Sequence, residues 1–154
     1  MTQHSETYFE IFDGSNRIRV EPFKVTTYDS AIDWDLNWIK TRITIKAGVF
    51  NGQYIADFMT TDFELLKRDL KRLYKDLHGE AKFEPLEGQL ILHLLADGLG
   101  HFEVTCIAQD QPGFGARISF KLHIDQSDLP GLIDEIDKIT KAFPMVGDMK
   151  LKNE

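Results

Sequence analysis

Three polar residues in the C-terminal half of the chain could do chemistry together. His93, Glu103 and His123 each fall on a polar position of a predicted strand, and these strands follow one another along the chain. Two imidazoles and a carboxylate are ligands that suit zinc or iron. If strand order and register bring them together, this polar face would be a metal or small-molecule site. The alternative is an ordinary hydrogen-bonded sheet face, because register cannot be read from the sequence.

A second candidate is the acidic segment that contains both tryptophans. Asp33 and Asp35 lie two residues apart, so in an extended chain they would project from one face as a pair of carboxylates. Paired carboxylates act as acid and base only where their surroundings separate their pKa values. Aspartate is also a common turn residue whose side chain accepts backbone hydrogen bonds. The turn interpretation is the simpler one.

Patterns for other kinds of catalysis are missing from the sequence. Cys106 is the single cysteine, and its neighbours Val104, Ile107 and Ala108 predict a buried thiol rather than an activated nucleophile. The histidines include no pair at the helical spacing of metal ligands. No glycine-rich segment has all the glycines of a phosphate-binding loop. We therefore predict no catalytic residue, no resident metal and no cofactor.

Size and charge narrow the class of protein further. A chain of 154 residues with a net charge of −7 is long enough for one well-packed domain. Its acidity argues against nucleic acid or an anionic membrane as the main ligand and favours a basic partner, although it could serve solubility alone. The first ten residues lack the pattern of a secretory signal. We expect a soluble protein of the cytoplasm, with an oligomeric state that the sequence does not define.

Alternation of apolar and polar residues predicts eight strands. Residues 8–13 and 18–25 form an N-terminal hairpin around Asp13-Gly14-Ser15-Asn16. A longer hairpin runs from residue 39 to residue 58, and Asn51-Gly52 is its expected turn. That turn would pair Ile45 with Phe58 and Lys46 with Asp57. The remaining strands, at 81–83, 89–95, 101–109 and 116–124, predict an antiparallel meander.

Two amphipathic helices complete the predicted domain. The spacing in Thr61-Asp62-Phe63-Glu64 is that of a capping box, so the first helix should begin there and end at Gly79. The second should be capped by Ser127 and end before Pro144. No repeat or linker divides the chain. We predict a single α+β domain over residues 1–154, with a core at about 7–144 and a loosely held tail at 145–154. Its mainly antiparallel sheet of about eight strands would be covered by the two helices.

Motifs along most of the chain, from about residue 8 to residue 147, resemble those of a known family. They are Asp33-Trp34-Asp35-Leu36-Asn37-Trp38, Ala47-Gly48-Val49-Phe50-Asn51-Gly52, Leu73-Tyr74, Gly79-Glu80-Ala81-Lys82-Phe83, Pro85-Leu86-Glu87-Gly88-Gln89-Leu90, Gly100-His101, Ile124-Asp125-Gln126 and Phe143-Pro144. Together they are similar to the WapI-type immunity protein family of bacterial polymorphic toxin systems.

The resemblance implies a cytoplasmic protein that binds a toxin C-terminal domain and blocks it without catalysis. Toxins of such systems are often nucleases, whose basic groups an acidic inhibitor can approach and cover. We expect part of the contact at Asp29, Asp33, Trp34, Asp35 and Trp38, because aromatic anchors beside acids are typical of interface centres. Both tryptophans could instead belong to the core. The alternative function is a small-molecule-binding or metal-dependent enzyme that uses the polar meander face.

Overall fold

The computed structural model describes residues 7–26 and 31–147, except for the side chain of Asp33. Within these residues, eight strands form two four-stranded antiparallel sheets, accompanied by two α-helices. The predicted fold class, an α+β domain with mainly antiparallel strands and two amphipathic helices, is confirmed. The separation of the strands into two sheets was not predicted. No helix in the described residues is both long and apolar enough to cross a membrane.

The first sheet contains the two predicted hairpins in the order β1-β2-β3-β4. Its strands are β1 (Phe9–Phe12), β2 (Asn16–Val25), β3 (Trp38–Ala47) and β4 (Phe50–Met59). A 3-10 helix, Asp33–Asn37, leads into β3. The predicted turn at residues 13–16 is confirmed, since the Asp13 carboxylate accepts the backbone N–H groups of Ser15 and Asn16 at 3.0 and 2.8 Å.

The second sheet is the predicted meander, in the order β5-β6-β7-β8. Its strands are β5 (Glu80–Phe83), β6 (Leu90–Ala96), β7 (His101–Gln109) and β8 (Arg117–Asp125). Helix α1 (Thr60–Asp76) connects the two sheets, and α2 (Leu129–Ala142) follows the second. Glycine explains the tight β6–β7 turn: Gly98 has a φ of +84°, and an added Cβ would lie 2.8 Å from the His78 ring.

The β3–β4 hairpin turns three residues earlier than the sequence indicated. The turn is Gly48-Val49, because Ala47 pairs with Phe50. Gly48 has a φ of +61° and Val49 a negative one, which is the arrangement of a type II′ turn with glycine at its first central position. The prediction of a turn at Asn51-Gly52 is therefore wrong. Those two residues lie within β4 instead.

The earlier turn changes the strand partners but not the buried face. Ile45 pairs with Gly52 rather than Phe58, and Lys46 pairs with Asn51 rather than Asp57. Each partner moves by six residues, an even number, so every side chain stays on its predicted face. Asp57 now lies beside Lys40, with 3.5 Å between the carboxylate oxygen and the ammonium nitrogen.

The helix ends also differ from the prediction. Helix α1 begins at Thr60, and the Asp62 carboxylate accepts the Met59 N–H at 2.8 Å, so Asp62 makes the contact expected of Glu64. The helix ends at a left-handed Leu77 with a φ of 58°, two residues before Gly79. At α2, Ser127 lies inside a 3-10 turn, and the Asp128 carboxylate accepts the Asp125 N–H at 2.9 Å.

Four buried phenylalanines join the two sheets to α1. We call Phe9, Phe58, Phe63 and Phe83 the phenylalanine cluster; they come from β1, β4, α1 and β5 in that order. Each is at most 1% exposed. In five of their pairs the ring centroids lie 5.2–6.3 Å apart, the range of favourable aromatic pairs. This cluster is where both sheets and the first helix share one core.

Candidate partner-binding surface

Trp34 lies in the 3-10 helix at the start of β3 and is exposed to solvent. Its side chain is 44% exposed, and that of nearby Ile32 is 61% exposed. The short helix begins with a turn in which the Asp35 N–H donates to the Ile32 carbonyl at 3.1 Å. Trp34 is therefore a surface residue, and the interpretation of both tryptophans as core residues fails for this one.

Asn37 joins the 3-10 helix to the far end of the chain. Its side chain is only 1% exposed. Its amide nitrogen donates to the Val146 carbonyl at 3.1 Å, and its amide oxygen accepts the Val146 N–H at 2.8 Å. These two bonds hold Val146, itself 40% exposed, against the 3-10 helix. Val146, the second residue of the predicted tail at 145–154, is thus held by two hydrogen bonds, and residues 148–154 lie outside the described part of the chain.

Trp38, the second tryptophan, is half-buried at the first position of β3. Its carbonyl accepts the Thr26 N–H at 2.9 Å, and it lies opposite Met59 of β4. Asp35 is also half-buried. We define the tryptophan surface as Ile32, Trp34, Asp35, Trp38 and Val146.

The sequence prediction for this surface is only partly covered by the structure. Trp34 and Asp35 lie in the 3-10 helix, and Trp38 follows at the first position of β3. Asp29 and the side chain of Asp33 lie outside the described residues, so their part stays a prediction. Ile32 and Val146 were missed. Ile32 offered no periodic signal, and Val146 depends on a contact that spans 109 residues.

A half-buried carboxylate, that of Asp62, lies in the first turn of α1 and accepts the N–H of Met59, the residue opposite Trp38. Burial raises the pKa of Asp62 from its usual 3.8 to about 6, although the Met59 N–H that donates to it acts in the opposite direction. The folded state therefore holds this proton more tightly than the unfolded state does. The resulting stability is fully present below pH 3.8 and is lost as the pH rises through 6.

We therefore expect Asp62→Asn to remove part of the pH dependence of folding. The asparagine oxygen can still accept the Met59 N–H, but it carries no charge to bury. The difference in unfolding free energy between the variant and the parent should change by about 2 kcal/mol between pH 4 and pH 7, in favour of the variant at pH 7. Urea unfolding at pH 4, 5, 6 and 7 measures it. A constant difference in unfolding free energy across this pH range would contradict a raised pKa for Asp62.

The second predicted site, on the meander, does not form a three-residue group. In the β7–β8 register His123 faces Glu103, with 3.7 Å between the ring nitrogen and the carboxylate. His93 lies opposite Thr105 and instead approaches Glu84 at 3.3 Å. No group of three His, Cys, Asp or Glu side chains in the described residues could hold a metal ion. This face is a polar sheet surface with paired charges.

Cys106 is a structural residue, as the sequence predicted. It lies on the buried face of β7 with no exposed surface. Burial raises the pKa of its thiol to about 12, so the thiolate that nucleophilic catalysis needs is scarce at neutral pH.

Comparison with known families agrees with the resemblance seen in the sequence. The model of the immunity protein WapI-like family matches residues 10–144. The chain therefore belongs to this family of immunity proteins, and the predicted membership is confirmed. No curated protein matches the chain.

Two solved plant structures have a similar fold. The plant transcriptional regulator PBF-2 is 13% identical, with a TM-score of 0.52 over 92% of this chain and 84% of that one. WHY1 from Arabidopsis thaliana is 15% identical, with a TM-score of 0.52 over 96% of this chain and 89% of that one. At such low identity the likeness concerns the fold alone.

Proposed function

We propose that this protein binds a cognate toxin C-terminal domain in the cytoplasm and neutralises it by covering its active site. The protein itself catalyses nothing in this role. The observation that carries the proposal is its membership of the immunity protein family over residues 10–144. The toxin is a nuclease in this proposal, because a nuclease presents the basic groups that a chain with a net charge of −7 attracts.

The tryptophan surface is the proposed centre of contact. Tryptophan is enriched among the residues that dominate binding energy at protein interfaces. Trp34 is 44% exposed, and Val146 is held at Asn37, three residues further along the chain. The bonds from Asn37 to Val146 and from Thr26 to Trp38 hold this surface in place before binding. Such preorganisation lowers the entropy cost of association.

The acidic residues beside Trp34 are expected to attract the basic toxin domain. Reversing two charges, with Asp33→Lys and Asp35→Lys together, should weaken binding at least tenfold, because each lysine would repel the cations that the aspartates attract. Isothermal titration with the purified toxin domain encoded by the adjacent gene measures the affinity. Lys138→Glu on α2, where Lys138 pairs with Asp134, is a control for a charge change elsewhere. Unchanged affinity of a folded double variant would contradict this placement.

A further inference from the structure

A second surface lies at the opposite end of β4 from the tryptophan surface. The β3–β4 hairpin and the segment entering β8 enclose a cleft of about 340 Å³ that is mainly apolar. We call it the hairpin cleft. Its walls include Phe50, Gly52 and Tyr54 of β4, together with Ala108, Ala116 and Ile118 of the second sheet and its last turn.

The open edge of β4 borders this cleft. β4 is the outermost strand of the first sheet. Because Ala47 and Phe50 close a two-residue turn, alternate residues from Asn51 onward direct their N–H and C=O groups away from β3. The Ile55 carbonyl confirms this alternation, since it accepts the Gln89 side-chain N–H at 3.4 Å. The backbone groups of Asn51 and Gln53 have no such partner among the described residues.

Parts of two other sheet edges have partners among the described residues. On β8, the Lys121 carbonyl accepts the Asn16 side-chain amide at 2.9 Å, and the His123 N–H donates to Asp13 at 3.2 Å. On β1, the Glu10 N–H donates to Glu135 of α2 at 3.3 Å. Proteins usually cover such edges because an open edge pairs readily with another strand. The open stretch at Asn51 and Gln53 is therefore a ready place for strand pairing.

The mouth of the cleft is apolar and has free space. Val49, Phe50 and Phe114 are 87%, 66% and 81% exposed at this end of the molecule. Gly52 lies on the inward face of β4 opposite Ile45, and a Cβ added there would meet no atom within 4 Å. Its φ is not left-handed, so turn geometry does not demand glycine here. The glycine leaves room for a side chain from outside.

We propose that the hairpin cleft binds an extended segment of the toxin domain, which pairs with Asn51 and Gln53 and inserts an apolar side chain beside Gly52. This inference rests on the proposed function. Two outward-facing peptide groups on alternate residues, about 7 Å apart, match the repeat of a β-strand and not a small apolar molecule. The lining is mainly apolar, with Asp110 and Arg117 as its charged members, and therefore favours an apolar side chain.

One toxin domain can contact both surfaces at once. β4 runs from the hairpin cleft at Phe50 to Met59, which lies opposite Trp38. Ten residues of strand span about 33 Å. An interface of standard size covers about 800 Å² on each partner, a patch about 30 Å across. The tryptophan surface and the hairpin cleft are therefore two ends of one interface along β4.

Strand pairing is tested at Gln53 by a matched pair of variants. Gln53→Pro removes the outward N–H without breaking a bond to β3, and proline is tolerated on an edge strand. Gln53→Ala keeps that N–H but loses the side chain, which donates to the Thr44 hydroxyl at 3.1 Å. We expect the proline variant to bind the purified toxin domain at least tenfold more weakly than the parent. The alanine variant should bind more tightly than the proline variant, because it keeps the outward N–H.

Occupation of the cleft is tested at Gly52. Gly52→Val places a β-branched side chain in the free space, so its melting temperature should equal or exceed that of the parent. Its affinity for the toxin domain should fall at least tenfold. Gly131→Ala in α2 is the matched control, because an added Cβ there also meets no atom within 4 Å. That variant should bind as the parent does. If Gln53→Pro fails to fold, the affinity of Gly52→Val for the toxin domain tests the cleft proposal by itself.

The outcomes separate the two proposals. Failure of the folded parent chain to bind the toxin domain would overturn the proposed function. Binding by the parent with equal affinity for Gln53→Pro and Gly52→Val would overturn only the cleft proposal. Light scattering on the chain alone should show no dimer that depends on this edge. A dimer dissociated by Gln53→Pro would make a second copy the occupant and would also overturn the cleft proposal.

Discussion

Alanine in place of Trp34 is expected to weaken binding of the toxin domain about thirtyfold, which corresponds to about 2 kcal/mol. The indole is 44% exposed, so a partner can bury the rest of it. The melting temperature should fall by no more than about 4 °C, because the folded chain buries only part of this side chain. Isothermal titration and calorimetric unfolding measure the two quantities.

A control for the Trp34 variant is available on the β6–β7 turn. Leu99 is 81% exposed, and its turn lies beside His78, beyond the carboxyl end of α1. Leu99→Ala removes a large apolar side chain from the surface without touching the tryptophan surface or the hairpin cleft, so its affinity should stay within twofold. Equal affinities for the parent, Trp34→Ala and Leu99→Ala would show that Trp34 does not contribute to toxin binding.

Alanine in place of Phe63 is expected to lower the free energy of unfolding by about 3–5 kcal/mol. Phe63 has no exposed surface, and its ring lies 6.2, 6.3 and 5.5 Å from those of Phe9, Phe58 and Phe83. Its loss would open a cavity where both sheets meet α1. Chemical denaturation measures the change.

Phe114→Ala is the comparison for the core variant. Phe114 is 81% exposed, so its removal should change the unfolding free energy by less than about 0.5 kcal/mol. A loss below about 1.5 kcal/mol for Phe63→Ala would contradict the role of the phenylalanine cluster. The pair therefore separates the loss of stability caused by a core cavity from the small effect of removing an exposed apolar side chain.

Most elements of the fold could be predicted from the sequence, because hydrophobic periodicity depends on local spacing. The meander and both helices appear within a few residues of their expected positions. The position of the β3–β4 turn could not be predicted, because Gly48-Val49 and Asn51-Gly52 both offer a glycine for a two-residue turn. Both turns keep the apolar residues on the same face. Alternation alone therefore could not choose between them.

The candidate surface was less predictable than the fold. The segment with Trp34 and Trp38 was identified from residue types, but exposure depends on packing, and the two tryptophans differ in it. The bond between Asn37 and Val146 spans 109 residues, so no local pattern indicates it. On the polar meander face, the structure brings together only two of the three residues that the sequence suggested as a group. Glu103 and His123 do come together, but the register directs His93 towards Glu84.

Growth of bacteria that express the toxin domain encoded by the adjacent gene tests the central claim most directly. Co-expression of this chain should restore growth, and the two proteins should purify together as a complex of equal stoichiometry. The Leu99→Ala variant, changed at an exposed side chain away from both proposed surfaces, should restore growth as the parent does. Continued growth arrest, with folded chain present in excess over the toxin domain, would contradict the assignment as an immunity protein for that toxin.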